Sequence, residues 1–330
     1  MTTLSDLAAL IPDAVERLRD VAARTPIQLD ERLSQATGSE IWLKREDLQP
    51  VRSYKLRGAF NLMSQLTEEE RRTGVVCASA GNHGQGVAYS AAALGIRATV
   101  VVPHTTPRQK RQRIRELGRG QVDLVLHGTT YDEASEEASR MAETGKVLVP
   151  AFNDPRTAAG QATLIVEAFD QLGFVPDVVL IPIGGGGLVS GAAAWLREQH
   201  PEVRIIGVEP DGAPCVAAAI SAGRPVTLNE IDTFVDGAAV RRIGDFTFDA
   251  IREARIELTR VPEGQICSEM LEMYQTDGII AEPAGALAAA ALPTGGSARG
   301  CRSRRGHGCS LSSPAATTTC RATRRSSSGP

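Results

Sequence analysis

Val178-Val179-Leu180-Ile181-Pro182-Ile183-Gly184-Gly185-Gly186-Gly187-Leu188 is an apolar run that breaks into four glycines and resumes as an alanine-rich stretch reaching Gln199. A short β-branched run bounded by a glycine turn reads as a strand buried on both faces, and such strands belong to parallel sheets covered by helices. Without Cβ atoms, the glycine backbone can approach an anion closely. Successive N–H groups at the start of the following helix then supply donors for a phosphate. A tight strand-to-helix turn that binds nothing is the other reading, although four consecutive glycines cost more backbone entropy than a turn requires. No Lys-Ser or Lys-Thr follows as in a nucleotide-binding P-loop. Leu188 and Val189 also fit poorly to Gly-x-Gly-x-x-Gly dinucleotide spacing, so a ligand with a single phosphate fits best.

The same alternation extends in both directions. Strands are predicted at 75–79, 98–103, 122–127 and 146–149, interleaved with helices at 82–93, 107–117 and 131–144. A second series has a helix at 158–172, strand 177–183, helix 188–199 and strand 204–209, then helices near 213–222, 263–276 and 283–292. This is the pattern of an α/β protein with two open, twisted, parallel-sheet domains. Crossovers in such sheets are right-handed and ligands collect at the carboxyl ends of strands, which puts the site between the two sheets.

The chain has 330 residues, 42% apolar and 23% charged, enough for a sizeable core and two domains. Asp6, Asp13 and Glu16 stand where a leader would be basic and apolar, and no run nears the roughly 18 apolar residues of a membrane span. A cytoplasmic enzyme without membrane or nucleic-acid partners is expected. Cys77, Cys215 and Cys267 lack metal-ligand spacing and read as free thiols, so no metal site is expected.

The net charge of −3 conceals two unlike parts. Residues 295–330 hold seven arginines and no Asp, Glu or Lys, which leaves residues 1–294 at −10. This stretch contains eight serines, Cys301, Cys309 and Cys320, but no Ile, Val, Phe, Tyr or Trp, and it cannot build a core. A basic segment for nucleic acid or membrane is one explanation. Translation out of frame is the better one.

A lysine and a second polar turn precede the four glycines. Arg52-Ser53-Tyr54-Lys55-Leu56-Arg57-Gly58 is followed, 24 residues after Lys55, by Ser79-Ala80-Gly81-Asn82-His83-Gly84. With Leu43-Lys44-Arg45-Glu46-Asp47-Leu48-Gln49-Pro50 ahead of them and the glycine run behind, these segments resemble the pyridoxal-phosphate enzymes of the tryptophan synthase β class (fold type II). Within that class they resemble the threonine dehydratases. Similarity continues at Phe234-Val235-Asp236-Gly237-Ala238-Ala239-Val240 and Gly278-Ile279-Ile280-Ala281-Glu282-Pro283-Ala284-Gly285-Ala286, so it spans about residues 24–292.

The resemblance implies a division into a large cofactor-binding domain (1–48 and 156–294), a small domain (49–155) and an aberrant, disordered basic tail (295–330). Lys55 is implied as the catalytic lysine that condenses with the cofactor aldehyde and later acts as acid and base. Read by itself, it is a solvated surface charge. Tyr54 takes the place of the aromatic residue packed on the cofactor, Gly184, Gly185, Gly186, Gly187 and Leu188 hold its phosphate, and Glu282 lies near its ring. Ser79, Ala80, Gly81, Asn82 and His83 form the loop expected to hold the substrate carboxylate. Asn82 is also expected to bond the cofactor's 3-hydroxyl, with an N-cap as its alternative role. His83 is either structural or cleft-lining, and Asp236 is expected to shape the substrate loop.

The reaction implied is β-elimination of L-threonine to 2-oxobutanoate and ammonia, and of L-serine to pyruvate, at the first step of isoleucine biosynthesis. Relatives are commonly tetramers, so a homo-oligomer is expected. One departure bears on activity. The family places a hydroxyl or thiol against the pyridine nitrogen from a Ser-Gly-Gly-Asn motif that this frame lacks. Back-translation of residues 309–330 with synonymous codons, shifted by a frame, gives Ser-Gly-Gly-Asn-Asn-Asp-Val-Ser-Arg-Tyr-Ala-Glu-Ile-Val-Glu-Arg-Ala, which resembles that motif, and the frame change is placed between about Leu292 and Gly300. Ser312 or Ser313 is a poor substitute, because Pro314 and its successors are not expected to form the matching strand. A final strand and helix should therefore be missing. No regulatory domain is seen, so feedback by isoleucine is not expected.

Three alternatives stay open. A serine racemase or hydroxyaspartate dehydratase would carry a metal-binding acid where this chain has Pro214-Cys215. A β-replacement synthase would differ at the lysine and substrate-loop motifs. The third is an inactive, frameshifted product.

Overall fold

The computed structural model of the chain describes residues 2–292 and 318–321. In chain order its elements begin with α1 (Leu4–Ala9), α2 (Ile11–Leu18), β1 (Ile27–Leu29), α3 (Glu31–Thr37), β2 (Glu40–Lys44), α4 (Lys55–Ser64) and α5 (Glu68–Thr73). Next come β3 (Val75–Ala78), α6 (Asn82–Leu94), β4 (Ala98–Val102), α7 (Arg108–Gly118), β5 (Val122–Leu126), α8 (Tyr131–Glu143), β6 (Val147–Leu148) and α9 (Pro155–Leu172). The chain continues through β7 (Val178–Pro182), α10 (Gly187–Gln199), β8 (Arg204–Pro210), α11 (Cys215–Ala222), α12 (Asp245–Ala254), β9 (Glu257–Val261), α13 (Glu263–Gln275), α14 (Pro283–Ala290) and β10 (Thr318–Arg321).

Two sheets result. One is parallel throughout, in the order β5-β4-β3-β6. The other, β1-β2-β10-β7-β8-β9, is mixed: β7, β8 and β9 are parallel, whereas β1–β2, β2–β10 and β10–β7 pair antiparallel. The all-parallel expectation therefore holds for one sheet and for half of the other. Successive side chains on a strand face opposite ways. Accordingly Val179 and Ile181 of β7 join the core under α9, α10 and α12, while Val178 and Leu180 join the one under α13 and α14. In the smaller sheet Val75 and Cys77 face α4 and α6, and Val76 faces α8. Each sheet is thus helix-covered on both faces, which is why its central strands read as unbroken apolar runs.

Composition alone misreads part of the segment beyond residue 294. Thr318–Arg321 forms β10, inserted between β2 and β7, with Thr319 opposite both Trp42 and Val179 and Cys320 opposite Ile41 and Val178. A final strand is therefore present where one was expected to be missing. The physical reason is that a ladder is made by backbone groups, and two facing strand edges with unpaired N–H and C=O will accept a short β-competent sequence irrespective of its ancestry. Ser312, Ser313 and Pro314 lie outside the described residues.

The two sheets meet through α4 and α9. At their crossing a Cβ on Gly58 would come within 2.7 Å of the Thr157 carbonyl, and one on Gly160 within 2.5 Å of the Arg57 carbonyl. Glycine at both positions lets the backbones touch. A buried charge cluster fixes the same junction. Arg57 donates from Nε to Glu46 at 2.7 Å and from Nη2 to Glu46 at 2.8 Å and Glu167 at 3.0 Å. Lys44 bonds Glu167, the Thr25 carbonyl at 2.6 Å and Gln171 at 2.9 Å. Glu46, Arg57 and Lys44 are all buried. Burial disfavours the Arg57 cation, yet Glu46 and Glu167 more than offset this and raise its pKa; burial disfavours the Glu46 anion, and Arg57 reverses that too.

Candidate active site

α4 begins at Lys55, with Tyr54 as its N-cap, directly after the turn anchored by the Arg57–Glu46 pair. The lysine therefore starts on a rigid element. Its Nζ lies 5.2 Å from the centroid of the Tyr54 ring, in cation–π reach. Tyr54, Lys55, Asn82, Gly184 and Glu282 line one narrow cleft, closed by Pro182, Gly237, Ala238 and Ala284. Lys55 and Asn82 come from the elements of the small sheet, the glycines and Glu282 from those of the large one, so the site lies between the two.

Opposite Lys55, β7 runs out into the glycines. Among the described residues no acceptor takes the backbone N–H groups of Gly184 to Leu188, which leaves a row of donors at the start of a 13-residue helix. Gly186 has φ +92°, a conformation that L side chains rarely adopt, and the Thr247 hydroxyl donates to the Gly185 carbonyl at 2.7 Å. A Cβ on Gly185 would fall 2.2 Å from the Phe152 ring. Gly185→Ala should therefore force the ring to move and cost about 1–3 kcal/mol. Urea unfolding would register this as a lower midpoint, and removing the ring as well (Phe152→Ala) should give part of the loss back relative to Phe152→Ala alone.

Asn82 and Glu282 join across the cleft, Nδ2 of Asn82 donating to Oε1 of Glu282 at 2.6 Å. Loss of hydration pushes the Glu282 carboxyl up to about 7; the Asn82 bond and the Lys55 charge oppose this, and Asp236 adds to it. Asn82 is the first residue of α6, whose N-cap is Gly81, so the N-cap alternative for the Asn82 side chain is not what the structure has. The Ser79 hydroxyl accepts from the Gly81 N–H at 3.2 Å. Ser79, Ala80 and Gly81 sit partly exposed at that helix start, beside the cleft but outside its lining. Of the glycine turn only Gly184 lines the cleft; Gly185, Gly186 and Gly187 are buried against Phe152 and Thr247, and Leu188 packs into the core beneath them.

His83 faces inward. It is buried, with Nε2 at 2.7 Å from the Val149 carbonyl, so that nitrogen carries the proton and donates. Burial and the Lys55 charge pull its pKa down to about 4. A folded-state value below the unfolded one near 6.5 means the unfolded chain takes up the proton first, so stability is lost as pH falls from about 6.5 toward 4. Relative to a His83→Gln protein, on the order of 2–3 kcal/mol should disappear over that window in urea titrations.

Asp236 does not reach the cleft lining. It pairs at 2.7 Å with Lys110 of α7, and Arg241 pairs at 2.8 Å with Asp132 of α8. These exposed pairs bracket the segment that carries Gly237 and Ala238. Gly237, Ala238, Pro182 and Ala284 were not foreseen as wall residues, although all but Pro182 fall in segments quoted above for their resemblance. Ser53 was likewise overlooked: its hydroxyl, fully buried in the turn before Lys55, has no partner among the described residues. Amides without acceptors that begin at a cleft-lining glycine, an amine in the same cleft and an unspent hydroxyl two residues before that amine's lysine fit a phosphate-bearing carbonyl cofactor.

Among the described residues no helix is long and apolar enough to cross a membrane. Residues 18–305 match the family model described as pyridoxal-phosphate dependent enzyme. The L-threonine dehydratase biosynthetic IlvA of Mycobacterium tuberculosis (strain ATCC 25618 / H37Rv) is 52% identical over 285 residues, covering 86% of this chain and 66% of that protein. The chain thus spans just under two-thirds of that relative's length. The processed form of threonine deaminase isoform 2 from Solanum lycopersicum superposes with a TM-score of 0.83 at 40% identity, covering 88% of this chain and 79% of that one. Maize serine racemase gives 0.82 at 30% identity, with 89% and 87% covered.

Proposed function

Because the chain belongs to the family of pyridoxal-phosphate dependent enzymes, we propose that it converts L-threonine to 2-oxobutanoate and ammonia, the β-hydroxyl leaving as water and one water being taken up again when the resulting imine is hydrolysed, and converts L-serine to pyruvate and ammonia by the same steps. The observation that carries this reading is the Lys55 amine sharing a cleft with Gly184, the first residue of a turn whose backbone N–H groups have no acceptor among the described residues. A relative named threonine dehydratase at 52% identity gives it its substrate.

When bound, the cofactor supplies an electron sink that stabilises negative charge at the substrate Cα. The residues of the chain do the rest. The glycine amides and the N-terminus of α10 hold its phosphate. Tyr54, Glu282 and Asn82, which line the cleft, would hold its ring, with the Asn82 carboxamide available to its 3-hydroxyl. The loop Ser79–His83 offers donors to the substrate carboxylate, mostly through backbone N–H groups at the start of α6, while the buried His83 ring shapes that loop from beneath. Lys55, as a free amine, removes the Cα proton and keeps it in the cleft.

A racemase reading has less support. The Glu209 carboxylate, at the end of β8, accepts the N–H groups of Val216 at 2.7 Å and Ala217 at 2.9 Å, and Pro214 and Cys215 place no second acid beside it. The step assigned is the first of isoleucine biosynthesis, in the cytoplasm, by a homo-oligomer. The two sheets with their helices are read as the large and small domains. Purified chain reconstituted with pyridoxal phosphate and supplied with L-threonine should release 2-oxobutanoate. Cofactor binding without turnover would instead mark the missing pyridine partner, and absence of binding a frameshifted, inactive product.

A further inference from the structure

The hydrogen bond between Asn82 and Glu282 has a direction, and the direction has chemical consequences. A carboxylate can only accept, so while Glu282 is ionised the amide nitrogen of Asn82 must face it. The rest of the carboxamide then presents to the cleft one N–H and the carbonyl oxygen. A protonated Glu282 can donate to Oδ1 instead, which turns the carboxamide over and exchanges donor for acceptor.

We infer that Glu282 is a positioning residue that sets which face of the Asn82 carboxamide a ligand in the cleft meets, and that it does so by reaching across from the opposite sheet. The assignment rests on the reading of the cleft as a pyridoxal-phosphate site and adds a role to a residue placed until now only near the ring. Three observations support it. The bond is short, at 2.6 Å, and joins residues 200 apart in sequence from elements of different sheets. Glu282 is held by its own backbone as the N-cap of α14, and its Oε1 would lie 3.5 Å from a Cβ on Gly237, so the carboxylate is walled in. The charged groups felt there are Lys55, Asp236 and Lys110, and together with loss of hydration they leave the carboxyl near pH 7, where both directions of the bond are open.

Glu282→Gln keeps size and shape but can donate or accept, so it removes the constraint. Pyridoxal phosphate should bind Glu282→Gln about tenfold or more weakly, the loss expected of a charge-assisted hydrogen bond. The pH dependence of the visible absorbance of the bound cofactor between pH 6 and 8 should flatten. Asn82→Ala should do the same, and the double variant should lose no more than either single one. Melting of the cofactor-free proteins, and Asn82→Ala as an approach from the other side, separate misfolding from loss of positioning. Unchanged affinity and pH profile in a folded Glu282→Gln protein, with a wild-type chain that binds the cofactor, would overturn this inference alone. Additive losses in the double variant would also overturn it. A wild-type chain that fails to bind pyridoxal phosphate would overturn it together with the reading of the cleft.

Discussion

Replacing Arg57 with methionine should destabilise the protein by about 3–5 kcal/mol, since removal of one partner leaves buried charge uncompensated. Glu46, fully buried, would keep the Thr25 hydroxyl at 2.6 Å and the Gln49 amide at 3.1 Å but lose the cation that bonds both its oxygens. Glu167 would be left with Lys44 alone. The loss should appear in urea unfolding with the slope preserved. A double variant, Arg57→Met with Glu46→Leu, should recover part of it, because a well-packed apolar pair replaces a half-broken ionic one. A midpoint for Arg57→Met within about 1 kcal/mol of wild type would show that water reaches the cluster and screens it. Since Arg57 lies within the first turn of the helix that starts at Lys55, the same variant should weaken cofactor binding.

Lys55→Ala should leave the fold almost untouched and abolish turnover. The side chain is partly exposed, its stacking on Tyr54 is an exposed-type contact, and substitutions of that kind shift stability by about 0.5 kcal/mol or so. Loss of a positioned acid–base amine, by contrast, should lower the rate of 2-oxobutanoate release by roughly a thousandfold or more. Retention of turnover within about tenfold of wild type would remove Lys55 from the chemistry. The two variants thus fail in opposite ways: one unfolds and the other folds without working.

The strands of both sheet centres are legible in the sequence because burial on both faces leaves no position for a polar residue, and the predicted bounds of β3, β4, β7 and β8 differ from the observed ones by one or two residues at most. β1 and β2 are not, since β1 is a three-residue edge strand and Gln28, Glu40 and Lys44 interrupt the apolar run. The amphipathic start is legible too: Leu4, Leu7, Ala8, Ile11, Ala14 and Leu18 recur at helical spacing and all are buried. Within the site, the glycine turn and Lys55 announce themselves by local chemistry. The Lys44–Glu46–Arg57–Glu167 cluster does not, because four charged side chains look like a solvated surface until the fold has joined residue 57 to residue 167. The Asn82–Glu282 bond is hidden for the same reason.

β10 bears on the order of events during synthesis. It is the last of the described strands to be made, and it alone touches both β2 and β7 within the larger sheet. At about 5–20 residues per second, a ribosome that has finished β7 needs several seconds more to deliver its neighbour. Throughout that interval two strand edges wait open, templates for any extended segment nearby. The closing contact is also among the most distant in sequence, Ile41 against Cys320, and non-local pairings of this kind form slowly. The yield of folded protein should therefore be decided after translation of the site is over, in a race between the chain's own strand and a stranger's.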